Sequence, residues 1–307
     1  MGIGHSHDHH GHGQEMLDSA AGIRAVKISL VVLGITAVAQ LGVVVVSGSV
    51  ALFADTVHNF SDALTAVPLW IAFVMSTRAA TQRYTYGFGR VEDVAGLFVV
   101  LAIAVSAVIA AIEAVRRLID PVPLSHLGWV AAAGLIGFAG NELVAVYRIR
   151  VGRRIGSAAL EADGMHARTD GLTSLGVVAG AVGVALGFPL ADPIVGLLIA
   201  VAICFVMVQA ARDVFARLLD GVDPTFVATA RDVLHARPGV VDARRIRMRW
   251  VGHRLEADVE LDVDPALSLN DAHRVAHDAE HALAHAIPKL STVVVHAYPA
   301  HGRTLSS

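Results

Sequence analysis

Two short stretches of this sequence place ionisable side chains where a helix would bring them onto one face. In Ala54-Asp-Thr-Val-His-Asn-Phe-Ser-Asp62, His58 and Asp62 are four residues apart and Asp55 precedes His58 by three. In Ala162-Asp-Gly-Met-His-Ala-Arg-Thr-Asp170 the same arrangement recurs as Asp163, His166 and Asp170. Helical spacing of three and four aligns such residues along one stripe. Each stretch therefore offers an H-x-x-x-D pair, and two such pairs can supply two imidazoles and two carboxylates to one divalent ion. Two carboxylates neutralise the ion and two neutral imidazoles complete four ligands. This mixed N/O set suits tetrahedral Zn²⁺ better than Mg²⁺ or Ca²⁺, which take six or more oxygens.

The elements that carry these residues are long and apolar. Of 307 residues, 55% are hydrophobic and 17% charged, against about 25% charged in an ordinary globular domain. Mean hydropathy is +0.60. A spanning helix needs ~20 mostly apolar residues, and six segments qualify, near 25–46, 50–76, 92–116, 126–148, 158–187 and 191–211. The breaks between them carry turn residues, as in Ser47-Gly48-Ser49 and Asp120-Pro121-Val122-Pro123. An unpaired acid at the centre of a bilayer costs at least ~2.5–3.5 kcal/mol, and ionisable groups there are functional by default. Helix two contains no Lys or Arg, and Arg168 is the only cation within helix five. A bound divalent ion would supply the compensating charge. For Asp55 and Asp163 two readings stay open: they orient the histidines, or they lie nearer the membrane face and are hydrated.

Basic residues orient the bundle. Arg24, Lys27, Arg78, Arg83, Arg90, Arg148, Arg150, Arg153, Arg154, Arg212 and Arg217 fall on one side, and only Arg116 and Arg117 on the other. The positive-inside bias then places both termini in the cytoplasm, with the plasma membrane of a bacterium as the expected location. The net charge of −3 gives no reason to expect a nucleic-acid partner. Cys204 is the single cysteine and sits in an apolar run, which excludes a disulfide framework and a thiolate site.

The expected organisation is a histidine-rich tail over 1–23, a six-helix transmembrane domain over 24–217, a small domain over 218–299 and a short tail over 300–307. In the small domain, Pro224–Ala236 reads as a helix, Val240–Val251 and Arg254–Val263 as strands, Ser268–Ile287 as a helix and Ser291–Ala297 as a strand. The order αββαβ describes a two-layer, ferredoxin-like α/β domain. His5, His7, His9, His10 and His12 read as a metal-collecting tract. His273, His277, His281 and His285 recur at steps of four opposite an apolar stripe and read as a solvated face. His277-Asp-Ala-Glu-His281 also matches H-x-x-E-H, but a domain this short offers no third ligand and no cleft.

The paired H-x-x-x-D motifs, the six-helix layout and the αββαβ tail resemble the cation diffusion facilitator family of metal/proton antiporters. Tyr86-Gly-Phe-Gly-Arg-Val-Glu92 and Asp192-Pro-Ile194 add to the likeness, which covers about residues 24–298. The resemblance implies a transport site at His58, Asp62, His166 and Asp170, a homodimer, no prosthetic group, and efflux of a divalent cation in exchange for H⁺. The two-histidine site is similar to the zinc-preferring branch; Co²⁺, Cd²⁺, Fe²⁺ and Mn²⁺ are alternative substrates. Some relatives carry a further site between helices two and three, but Tyr84 and Phe88 stand at its histidine positions here. Alignment with relatives also puts Glu260, His273 and His296 where regulatory ligands occur, while Arg244 and Tyr298 replace two others. Two readings stay open there, a reduced single-ion site or exposed strand and helix residues. The resemblance further implies a contact between Arg90 and Asp220, two independently hydrated charges being the alternative. Outside this class stand a membrane-bound zinc sensor with a structural ion and an intramembrane zinc hydrolase; four protein ligands leave the latter no open coordination position.

Overall fold

A computed structural model describes residues 9–47, 66–120, 127–188 and 190–300. The chain divides into two compact units, Asp18–Phe215 and one that contains the chain from Ala216 onward.

Among the described residues, the first part of the chain holds the helices α1 (His9–Ser47), α2 (Ala66–Ser76), α3 (Arg90–Ile119), α4 (Leu127–Ile155), α5 (Ala158–Ala185) and α6 (Ala191–Leu218). Among the described residues, Met16–Val45, Arg90–Ile119, Leu127–Ile155 and Pro193–Leu218 are long and apolar enough to cross a membrane. Their outward faces carry exposed Ile35, Val38, Leu101, Ile112, Val201 and Phe205. So much exposed apolar surface suits lipid rather than water. α5 has the length of a span but carries Glu161, Asp163, Arg168 and Asp170.

Two helices run further than the sequence suggests. α1 starts at His9, inside the stretch expected to be a tail. Gln14 to Ala21 are mostly helix formers, with no proline to stop the backbone. α4 continues to Ile155, so Arg148, Arg150, Arg153 and Arg154 are helical rather than part of a loop. The break comes only at Gly156, where φ is +80°, a conformation that glycine adopts without steric cost. Ser157 then caps α5 by accepting a hydrogen bond from the Leu160 N–H at 3.1 Å. This tight turn folds α4 and α5 into an antiparallel hairpin.

The second unit holds α7 (Pro224–His235), β1 (Val240–Val251), β2 (Arg254–Val263), α8 (Leu269–Ala286) and β3 (Leu290–Pro299). The sheet order is β1-β2-β3, with β1 antiparallel and β3 parallel to β2. Alternate residues Leu255, Ala257, Val259, Leu261 and Val263 point into the core, where they meet Leu234 of α7 and Ala279 and Leu283 of α8. The other face of the sheet is polar. Both helices start on a side-chain cap: Asp223 accepts from the Thr225 N–H at 2.9 Å, and Ser268 from the Asp271 N–H at 3.2 Å. Within this unit Arg217 donates to the Gly252 carbonyl at 3.1 Å and lies 4.3 Å over the Trp250 ring.

Candidate metal site

α5 lines up the second of the two motifs as its spacing requires. His166 is 2% exposed, and its Nδ1 lies 3.7 Å from Asp170 Oδ1 one turn along the helix. That distance is too long for a hydrogen bond. Neither ring nitrogen of His166 has a hydrogen-bond partner among the described residues. Buried polar groups in folded proteins are nearly always partnered, so a buried imidazole with both nitrogens unbonded beside a carboxylate is a donor set suited to a cation. The backbone beneath it is fixed. Thr169 Oγ1 donates to the His166 carbonyl at 2.7 Å, and Thr173 Oγ1 to the Thr169 carbonyl at 3.0 Å. His58, Asp62 and Asp55 lie outside the described residues.

Asp163 has a different partner from either sequence reading. Its carboxylate is fully buried, so it is not hydrated at a membrane face, and it accepts no hydrogen bond from His166. Instead Asp163 Oδ2 lies 2.9 Å from Arg148 Nη1 of α4, whose side chain is 3% exposed. The two charges meet by distance without the alignment of a hydrogen bond. A segment ending near 148 leaves Arg148 at the membrane edge, whereas the longer α4 brings it inside the hairpin. Arg168, the one cation expected within helix five, donates to Glu142 of α4 through Nε at 3.2 Å and Nη2 at 2.8 Å. Both guanidinium groups thus serve carboxylates other than Asp170.

Among the described residues, the secondary candidates are not brought together within one chain. Tyr84 and Phe88 pack ring to ring at 5.0 Å, in a turn closed by the Gly87 N–H donating to the Tyr84 carbonyl at 3.0 Å. Glu260 and His296 are paired neighbours on β2 and β3 and share the polar face of the sheet. His273 is an exposed residue of α8, whose Ala279 and Leu283 pack on the opposite face. The sheet therefore separates His273 from the other two within one chain. Glu260 is bordered by Arg245 at 3.4 Å and Arg247 at 3.6 Å. Arg244 sits 2.6 Å from Asp262 and 4.7 Å over the Tyr298 ring. Among the described residues no three His, Cys, Asp or Glu side chains are placed to hold a metal together. Arg90 lies 3.5 Å from Asp93 within α3, and Asp220 lies in the turn after α6 at a φ of 58°. The backbone of His9, His10 and His12 falls in α1; His5 and His7 lie outside the described residues.

An apolar helical bundle with a buried His/Asp pair, followed by a small αββαβ domain, defines a membrane cation transporter. Residues 26–219 match the cation efflux transmembrane domain, and residues 222–300 match the cytoplasmic domain of cation efflux proteins. The chain belongs to the cation efflux family, the cation diffusion facilitators, which are transporters rather than enzymes. It is 67% identical, over 98% of its length and 91% of the relative's, to a Mycobacterium tuberculosis protein named "Probable cation efflux system protein". It is 29% identical to the cation-efflux pump FieF of Serratia proteamaculans, over 82% of this chain and 84% of that one. The magnetosome protein MamB of Paramagnetospirillum magneticum is 27% identical, over 83% of this chain and 86% of the relative.

Proposed function

We propose that this transporter exports Zn²⁺ from the cytoplasm in exchange for protons, through a site formed by His58, Asp62, His166 and Asp170. The observation that carries the reading is His166: buried, with both ring nitrogens unbonded, and one helical turn from Asp170. The same H-x-x-x-D spacing at His58 and Asp62 supplies the other half of the donor set. Metal ligands must be deprotonated, so protons and zinc compete for the same groups. A pH difference between the two faces can then bias that competition. Facing the cytoplasm, the site takes zinc; facing a more acidic outside, it takes protons and releases the ion. The placement is the plasma membrane of a bacterium, with both termini in the cytoplasm, and the working unit is a homodimer. A domain as small as the αββαβ unit has a limited core and gains from association.

Purified protein in liposomes is expected to accumulate Zn²⁺ only against an opposing proton gradient. Asp170→Ala and Asp62→Ala should each abolish that uptake while the protein stays folded. Undiminished uptake by either variant would overturn the site, and zinc flux without proton movement would overturn the coupling.

A further inference from the structure

We propose that α8 carries a separate surface site for a divalent transition-metal ion, formed by His281 and His285 on the cytoplasmic domain. The apolar stripe Ala276, Ala279 and Leu283 is buried and pins the helix, so the opposite face is held in a fixed conformation. On that face His273, His277, His281 and His285 are all exposed. They fall into two ring pairs. His273 and His277 have centroids 6.4 Å apart, whereas His281 and His285 approach to 4.5 Å with 27° between the ring planes.

The partners of the four histidines set the closer pair apart. His277 Nδ1 lies 3.5 Å from Glu280 Oε2, and Glu280 Oε1 accepts a hydrogen bond from the Val295 N–H at 3.1 Å. That hydrogen bond ties the glutamate of the H-x-x-E-H run to β3. His281 and His285 make no hydrogen bond or ion pair among the described residues. Two imidazoles one turn apart on a rigid helix chelate a single ion, with metal–nitrogen bonds of ~2.0–2.1 Å for zinc. Water completes the coordination. Affinity for such a nitrogen pair rises through Ni²⁺ to Cu²⁺ and falls again at Zn²⁺. The site lies outside the transport helices and its binding does not depend on the transport reading.

The test uses full-length protein purified in detergent without a polyhistidine tag, with Cu²⁺ and Ni²⁺ as probes. His281→Asn/His285→Asn should bind one Cu²⁺ fewer per chain and should keep proton-driven Zn²⁺ uptake. In the wild-type protein, Ni²⁺ should protect His281 and His285 together from diethyl pyrocarbonate, read residue by residue by mass spectrometry. The protection measurement stands even if the variant fails to fold. Equal copper stoichiometry in wild type and variant, or modification of both histidines at the same rate with and without Ni²⁺, would overturn the site.

Discussion

Arg148 Nη1 and Asp163 Oδ2 meet at 2.9 Å between α4 and α5, with 3% and 0% of their side chains exposed. Asp163 lies three residues before His166, and the cation that faces it comes from the neighbouring helix. One carboxylate of α5 thus faces a guanidinium of α4, while Asp170 lies 3.7 Å from His166 Nδ1. Removing one partner of a buried ion pair strands the other charge, which costs about 3–5 kcal/mol, whereas apolar replacement of both partners is often neutral or stabilising.

Asp163→Asn is therefore expected to destabilise the protein by about 3–5 kcal/mol, seen as a lower melting temperature in detergent. Arg148→Met/Asp163→Leu should recover most of the loss, because it removes both charges and keeps the volume. A double variant no more stable than Asp163→Asn would show that the pair does more than balance charge.

The Arg148 contact also shows what the sequence could and could not reveal. Element order, the αββαβ domain and the His166–Asp170 stripe follow from periodicity, since spacing alone fixes which residues share a helix face. Pairing between helices needs a register, and the register depends on where the turn lies. Once Gly156 and Ser157 are known to be the turn, Glu142–Arg168, Arg148–Asp163 and Arg153–Glu161 fall into place in reverse order across it. Hydropathy ends the segment near 148, because Arg150, Arg153 and Arg154 follow in quick succession, and so hides the turn. The Glu260, His273 and His296 set meets a related limit: within one chain the sheet lies between His273 and the other two. Aligned positions do not say which face of a sheet a residue occupies, and α8 packs on the side away from Glu260 and His296.

At Gly164, between Asp163 and His166, α5 packs closely on Arg148 and Ile149 of α4. A Cβ there would stand 2.9 Å from Ile149 N and 3.1 Å from Arg148 Cβ. Backbone atoms cannot yield as a side-chain tip can, so Gly164→Ala should push the helices apart at a cost of about 1–3 kcal/mol. Because His166 lies half a turn further on, zinc uptake should fall more than stability. Uptake equal to wild type, at equal amounts of reconstituted protein, would mean that the hairpin tolerates the shift.

Asp223 caps α7, and the Thr225 N–H, then the Thr225 hydroxyl, hold its carboxyl below the ordinary 3.8. A carboxyl whose folded value is lowered contributes stability that is fully present above its unfolded value. That contribution is lost as pH falls through the folded value. Asp223→Ala should therefore melt below wild type near neutral pH, and the gap should close as pH drops beneath about 4. A gap independent of pH would assign the effect to helix propensity rather than to the ionised cap.

A preference for zinc would turn on His58 of the proposed site. In the proposed site two imidazoles and two carboxylates give a neutral complex with a divalent ion. Replacing His58 by Asp gives three carboxylates and one imidazole, a more oxygen-rich set with a net negative charge. Carboxylates bind one- or two-handed and accept longer bonds, so they serve larger ions at higher coordination number, whereas zinc gains from imidazole and tetrahedral geometry. His58→Asp should then retain proton-driven transport but lose preference for Zn²⁺ over Cd²⁺. The measurement is initial uptake into liposomes across a panel of divalent ions at one proton gradient. If wild type favours zinc and the variant keeps the same ranking, selectivity resides outside this residue, in the geometry that α5 imposes through His166 and Asp170.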